Sequence, residues 1–455
     1  MWWLPDHEDD QQPGTLTVSN HGEITLELIG GFDLNVRTPI AGGGWEVDIN
    51  ERPMPLIHGR ADNRDVTIQD AWTKFAKGGV RFSDRPRFHH IVGNRAFIGV
   101  HLSLDTLDTW QGCFVHLENF GAWRGSTAMK LTREGTSITA ELGYVEDSVV
   151  EIDGWTFTAI TRHGGFDLDA RRNEVSVTGL TNTRLRIDAP SPCTAEALDE
   201  RVKSVMDLLT LAAGTPCGVI AMMLIPASTA AASSVRQPRQ SLDVPVHVRH
   251  AYQPHPDDPA PTDWRFTCAD KPFEDLIAAW IPLQRTAIAG TAAYFGTYYD
   301  RPGYTESRVL LAAVAAEAMH RALDAVPKQS ELSAQMFLDR KRRAVEAMTS
   351  DQEREWIERK LQNKPAALTF RQRVRSMGES IAPEARTAIT SDADRWAADI
   401  TGARNGLAHN ADGSRDRLLE LAQATDATIA AYLMGLLGLS AACQRRSAAA
   451  MRTPY

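Results

Sequence analysis

The spacing of apolar residues changes period once along this chain, and that change limits what it can fold into. Up to about residue 225 apolar positions alternate with polar ones. Leu16 and Val18 alternate with Thr15 and Thr17, and after Ser19-Asn20-His21-Gly22 the alternation resumes at Ile24, Leu26 and Leu28. Alternation places every second side chain on one face of a strand, and a turn-rich gap between two such runs is a hairpin pattern. Similar short runs recur at 66–68, 97–100, 137–142, 155–160, 175–177 and 185–187. Gly, Asn and Asp punctuate them, which predicts a sandwich or barrel-like β module. A helix over 194–213, started by Ser191-Pro192 and stopped by Gly214, closes the module, and 219–225 reads as a last buried strand.

From about Trp264 the period becomes helical. Segments 273–294, 305–325, 330–348, 350–362, 392–410 and 414–442 follow it, with Pro365 and Pro383 punctuating two more. Strand signals are absent there, so this part predicts an all-α bundle of roughly six or seven helices. Between the two regimes, 227–234 is rich in Ala, Ser and Thr, and 254–263 in Pro and Asp, with one strand expected at 244–248. The chain is therefore expected to be an α+β multidomain protein: a β-rich domain over 1–226, a linker over 227–262 and a helical domain over 263–445.

Composition narrows the class. Of the 455 residues, 43% are hydrophobic and 24% charged, as in soluble globular proteins. No run approaches the roughly 18 apolar residues of a membrane helix, and Met1-Trp2-Trp3-Leu4-Pro5-Asp6 does not read as a secretory signal. The five cysteines form no Cys-x-x-Cys pair, which argues against a disulfide framework or zinc knuckle and for a reducing cytoplasm. Residues 264–455 hold 26 Lys/Arg against 23 Asp/Glu, whereas residues 1–263 hold 23 against 35. The C-terminal part tolerates a polyanion; the N-terminal part repels one on average. Walker A, Gly-x-Gly-x-x-Gly, Gly-x-Ser-x-Gly and His-Glu-x-x-His motifs do not occur, which removes the common nucleotide, hydrolase and zinc-protease readings.

One motif carries chemistry. Arg404-Asn405-Gly406-Leu407-Ala408-His409 ends a helix whose first turn is acidic, and Asn410-Ala411-Asp412-Gly413 stops that helix. Asn405 and His409 are spaced i, i+4 and share a face. Arg404 lies about 140° round the axis from His409, within reach of a long guanidinium. Arg85 and His90 have the same spacing, but among strands and beside Pro86. A histidine at a helix C-terminus also serves simply to offset the dipole, so spacing alone does not separate catalysis from capping.

Arg-Asn-x-x-Ala-His near a helix end in a C-terminal all-α domain resembles the signature of HEPN ribonucleases. Trp3-Leu4-Pro5, Gly14-Thr15-Leu16, Gly22-Glu23-Ile24-Thr25-Leu26-Glu27-Leu28-Ile29-Gly30 and Leu104-Asp105-Thr106-Leu107-Asp108-Thr109-Trp110 resemble the N-terminal domain of ApeA-type abortive-infection proteins. The resemblance covers nearly the whole chain. It implies bacterial antiphage defence by cleavage of RNA, tRNA being one candidate substrate, with an N-terminal domain that senses a phage-derived trigger or restrains the nuclease. It also implies catalysis by Arg404, Asn405 and His409 without metal or cofactor, in a homodimer formed through the helical domain.

The residue types suit that chemistry. RNA carries its own nucleophile, the 2′-hydroxyl. Cleavage needs a proton acceptor, a proton donor and a cation for the charged phosphorane. Histidine supplies the first two and arginine the third. Glu317 and His320, spaced i, i+3 on one helix face, are a candidate metal pair or orienting pair, with a plain surface pair as an equal alternative. The HEPN resemblance implies a polar residue from an earlier helix near the motif, for which Glu317 is the candidate. Arg340, Lys341, Arg342 and Arg343, together with Arg371, Arg373 and Arg375, are candidate RNA contacts, against the alternative of solvated helix faces. His89, His90 and His101 lack the spacing of a metal site. Trp2, Trp3, Trp110, Trp123 and Trp155 are expected in the core, although a β domain with several Trp also suits a sugar or protein ligand. Two rival functions stand beside the nuclease: an inactive HEPN scaffold that binds RNA or protein, and a carbohydrate-binding β module joined to a helical oligomerisation domain.

Overall fold

The computed structural model describes residues 1–19, 22–34, 36–39, 45–48, 53–77, 86–107, 109–125, 129–135, 137–171, 174–227, 243–250, 252–254, 261–300, 303–323, 334–360, 368–409, 415–449, 451 and 455. Asn20 and His21 of the expected hairpin turn, most of the expected linker, and the expected helix stop at 410–413 lie outside the described residues. The chain forms two compact units, Met1–Ala278 and Ala279–Tyr455, and the division falls inside a helix.

The first unit is an antiparallel β structure. Its strands are β1 (Trp2–Trp3), β2 (Gly14–Val18), β3 (Ile24–Ile29), β4 (Val36–Pro39), β5 (Trp45–Asp48), β6 (Met54–Ala61), β7 (Arg64–Lys77), β8 (Phe88–Gly93), β9 (Arg95–Ile98), β10 (Trp110–Leu117), β11 (Met129–Glu134), β12 (Ser137–Leu142), β13 (Ser148–Ile152), β14 (Trp155–Arg171), β15 (Glu174–Cys193), β16 (Val219–Pro226) and β17 (Val244–Val248). Two helices accompany them, α1 (Phe120–Arg124) and α2 (Ala195–Ala213). Thirteen strands share one sheet along the path β13-β14-β15-β10-β16-β17-β9-β7-β8-β3-β2, with β6 beside β7 and β1 beside β6; β4 with β5 and β11 with β12 form separate ribbons.

The strand β7 turns the corner of this sheet. Its first part pairs with β6 and β9, and its last part, from Trp72, pairs with β8. Asp70 takes a positive φ of 50°, and the register slips between Thr73 and Phe75. Such irregularities bend a strand and let it serve two pairings. Inside the corner lie Trp2, Ile24, Leu26, Leu28, Ile57, Val66, Ile68 and Ile91, all at most 1% exposed. Each fully buried aliphatic chain contributes about 1.5–3 kcal/mol.

The helix α2 begins at Thr194, whose hydroxyl accepts from the Ala197 N–H at 3.1 Å, rather than at Ser191-Pro192, which still belong to β15. Gly214 ends it in the left-handed region, where a side chain is disfavoured. Two expected strands, 175–177 and 185–187, are parts of the single strand β15, paired with β14 from Glu174 to Asp188. The strand expected at 219–225 is β16, but Ile220 is largely exposed, so it is not buried throughout. Trp2, Trp110 and Trp123 are core residues, while Trp155 is half-buried under the Arg201 guanidinium.

The helical region comprises α3 (Phe273–Thr286), α4 (Ile288–Tyr299), α5 (Thr305–Leu323), α6 (Ala334–Glu346), α7 (Asp351–Lys360), α8 (Phe370–Ser380), α9 (Pro383–Ile389), α10 (Ala393–His409), α11 (Arg415–Leu436) and α12 (Ala441–Arg446). That is ten helices among the described residues, more than the six or seven expected. The apolar pattern runs through the breaks and hides them. Ala287, at φ −105° and ψ 27°, divides the expected 273–294 helix into α3 and α4. Gly438 at φ 70° ends α11, where the Leu439 N–H reaches back to the Met434 carbonyl at 2.9 Å. The Ala-rich α5 packs closely: Gly290 of α4 sits against Met319, where a Cβ would lie 2.5 Å from the Met319 side chain. Among the described residues no helix is long and apolar enough to cross a membrane.

Burial has a titration consequence in the β unit. The His89 imidazole is 1% exposed, and burial pulls its pKa down to about 4. His58, His116 and His250 are lowered as well, each mainly by burial. In the unfolded chain histidines titrate near 6.5, so the unfolded state takes up protons first and stability falls as pH drops from about 6.5 towards 4. His89 alone accounts for about 3 kcal/mol of that loss. Urea unfolding followed by tryptophan fluorescence is expected to show a lower midpoint at about pH 4.5 than at about pH 7.5. An unchanged or higher midpoint would contradict the burial of these imidazoles.

Candidate active site

The motif helix α10 is fixed at its start and along one face. Asp392 caps it, its carboxylate accepting from the Asp394 and Arg395 N–H groups at 2.9 and 3.1 Å. Trp396, Ala397 and Ile400 are fully buried. The Trp396 ring lies against Gly378 of α8, and its indole N–H donates to Thr425 Oγ1 of α11 at 3.2 Å. On another side, the Asp399 carboxylate accepts from Arg417 at 3.1 Å and from the Tyr455 hydroxyl at 3.0 Å. Hydrogen bonds that the Arg417 guanidinium makes to Tyr455 and Asp399 hold it above its ordinary pKa.

Arg404 is one turn beyond Ile400 and two beyond Trp396, so it continues the buried stripe out to the surface. Its Nη2 lies 2.9 Å from Glu317 Oε2 of α5. The guanidinium carbon lies 4.5 Å over the centre of the Phe370 ring of α8. The other oxygen of Glu317 meets Arg321 Nη2 at 2.6 Å. The Glu317 side chain is 13% exposed and that of Arg404 36%. A guanidinium held by a carboxylate on one side and a ring below keeps its remaining N–H groups in a fixed plane, the geometry that suits an oxyanion.

The structure thus brings Glu317 to Arg404. Asn405 is exposed, and His409 is the last helical residue of α10; the side chain of His409 lies outside the described residues. His320 is buried, and both carboxylate oxygens of its neighbour Glu317 face arginines. Among the described residues no group of three or more His, Cys, Asp and Glu is placed to hold a metal ion. In the β unit, His89 bonds Thr73 Oγ1 at 2.8 Å, His90 faces Glu27, and His101 stacks on His58 and donates to the Gly59 carbonyl.

The basic clusters divide. Arg371 is exposed on α8 next to Phe370. Arg373 donates to the Leu368 carbonyl at 3.0 Å, and Arg375 pairs with Glu379 and Asp394. On α6, Arg342 pairs with Asp339, Arg343 donates to the Asp339 carbonyl and Lys341 to the Glu358 carbonyl, while Arg340 is exposed. Two residues at the site were not singled out from sequence. Arg321 was legible as i+4 from Glu317, a spacing that pairs opposite charges on a helix. Phe370 had no such signal, because its contact with Arg404 spans 34 positions.

Family models match both parts of the chain: ApeA N-terminal domain 1 over residues 1–280, and Apea-like HEPN over residues 310–443. The chain belongs to the ApeA family. The HEPN match takes in Glu317, Phe370, Arg404, Asn405 and His409. The two domains together fit an antiphage-defence HEPN protein. Searches of curated proteins and of solved structures returned no match.

Trp396 is the test of how α10 is held. Replacing it with Ala removes a fully buried ring and the Thr425 bond, and is expected to destabilise the helical region by about 3–5 kcal/mol. Chemical unfolding monitored by circular dichroism checks this; a loss below about 1 kcal/mol would show that the ring does not anchor the helix.

Proposed function

We propose that the helical domain of this ApeA-family chain is a metal-independent endoribonuclease of bacterial antiphage defence, acting in the cytoplasm, with the N-terminal domain sensing a phage-derived trigger or restraining the nuclease. One observation carries the reading: Arg404 is held by Glu317 and Phe370 near the end of the helix that His409 terminates. Glu317 is the positioning residue and Arg404 the phosphate-binding one. tRNA is a candidate substrate.

In this reading His409 takes the proton of an RNA 2′-hydroxyl. The 2′-oxygen bonds to phosphorus, and the bond from phosphorus to the 5′-oxygen breaks. Arg404 stabilises the charge on the phosphorane oxygens. A proton must also reach the leaving 5′-oxygen, on the far side of phosphorus, and one imidazole does not conveniently serve both sides. A homodimer through the helical domain supplies a second His409. Asn405, exposed and on the His409 face of α10, is assigned to hydrogen bonding with the substrate. Arg371 and Arg340, both exposed, are assigned to RNA phosphates.

His409→Ala and Arg404→Ala are each expected to lower cleavage of RNA by about 10²- to 10⁴-fold. Circular dichroism should show both variants folded, and the active protein should sediment as a dimer. Wild-type cleavage by either folded variant would defeat the assignment; activity confined to a monomer would defeat the shared site.

A further inference from the structure

The outer face of the corner formed by β7, β8, β3 and β2 carries aromatic rings that the core does not use. Alternation sends Ile24, Leu26, Leu28 and Ile91 inward. The intervening positions face out. In register, Glu27 and Ile29 of β3 lie across from His90 and Phe88 of β8, which lie across from Phe75 and Lys77 of β7; Trp72 faces Val92 one step along. Phe75 is 44% exposed and Trp72 37%. Phe75 stacks on His90 with ring centres 5.0 Å apart and on Phe88 at 5.7 Å, and the Arg249 guanidinium lies 5.5 Å over Trp72. Rings left at a surface forgo burial that would stabilise the fold, and a clustered patch of them marks a binding face more often than scattered single residues do.

The charge around the rings points to the occupant. Lys74, Lys77 and Arg249 are exposed beside them. Glu27, an acid on this face, lies 3.4 Å from His90 Nδ1. These cations collect on a domain that otherwise carries an excess of acids, 35 against 23 over residues 1–263. We propose that this face binds a stretch of unpaired nucleic acid, with bases stacked on Trp72 and Phe75 and phosphates on Lys74, Lys77 and Arg249. Bases stack on aromatic side chains of an open sheet and on guanidinium planes, and lysines beside them follow the backbone. A neutral sugar would use the rings but not the cations. A duplex hides its base faces and would use the cations but not the rings.

RNA and single-stranded DNA share this chemistry, and the test separates them. Fluorescein-labelled oligonucleotides of about 12 nucleotides are titrated with the full chain: 2′-O-methyl oligouridine, which cannot be cut, oligothymidine, and a DNA duplex. The uncuttable probe keeps the outcome apart from whether Arg404 and His409 cleave RNA. Anisotropy is expected to show binding of a single strand with quenching of tryptophan fluorescence, and much weaker binding of the duplex. Preference for the 2′-O-methyl strand would identify RNA as the ligand; equal binding would mean that either serves. Trp72→Ala and Phe75→Ala should each weaken binding about tenfold or more, Phe75→Tyr should retain it, and Lys77→Gln should reduce the salt dependence by about one ion. Retention by Phe75→Tyr guards against a folding defect as the cause. Failure of both single strands to bind, as expected if a protein occupies this face, overturns the proposal. So does binding that is unchanged in both alanine variants.

Discussion

Trp396 has no exposed surface where it sits against α8 and donates to α11, and the rotation of α10 about its own axis follows from that burial. A helix with one large ring in a fitted site cannot turn without opening a cavity. Once the rotation is set, Ile400 lies one turn on and Arg404 two, so the guanidinium emerges where Glu317 and Phe370 receive it. The ion pair itself supplies little stability, because Arg404 is more than a third exposed and solvent screens the pair. Its effect is geometric. A long side chain that would otherwise sample many rotamers is held with its remaining N–H groups in one plane, and its ordering entropy is spent during folding.

The β domain depends on a comparable constraint in one strand. Because β7 pairs with β6 and β9 up to Ala71 and with β8 from Trp72, the sheet bends there and encloses a core of aliphatic side chains. The same alternation that fills this core turns Trp72, Phe75 and His90 outward. Filling the inside of the corner and displaying rings on the outside are two results of a single register.

The sequence was most informative where one period ran uninterrupted. The alternation at Leu16 and Val18, then Ile24, Leu26 and Leu28, corresponds to β2 and β3, and the stretch starting after Thr194 to α2. It was least informative where a break carries no local mark. Ala287 interrupts an apolar helical pattern with an ordinary residue, so α3 and α4 read as one helix. The meeting of Glu317 with Arg404 was approachable from sequence, because an acid on a helix of an all-α domain is a reasonable partner for a motif arginine. That Phe370 lies beneath the guanidinium was not, since a cation over a ring arises from tertiary packing between α8 and α10. The outward aromatic face was hidden for a similar reason: the slip between Thr73 and Phe75 changes which face each residue takes.

The central claim is that an arginine held in this way, with His409, drives attack by the 2′-hydroxyl of RNA. It is tested most directly by the ends of the products. Matched RNA and DNA oligonucleotides are incubated with the protein in EDTA and with magnesium, and the fragments are resolved by mass. The account predicts RNA fragments ending in 2′,3′-cyclic phosphate and 5′-hydroxyl in both conditions, with DNA uncut. Activity that vanishes in EDTA, or that cuts DNA as readily as RNA, would contradict it.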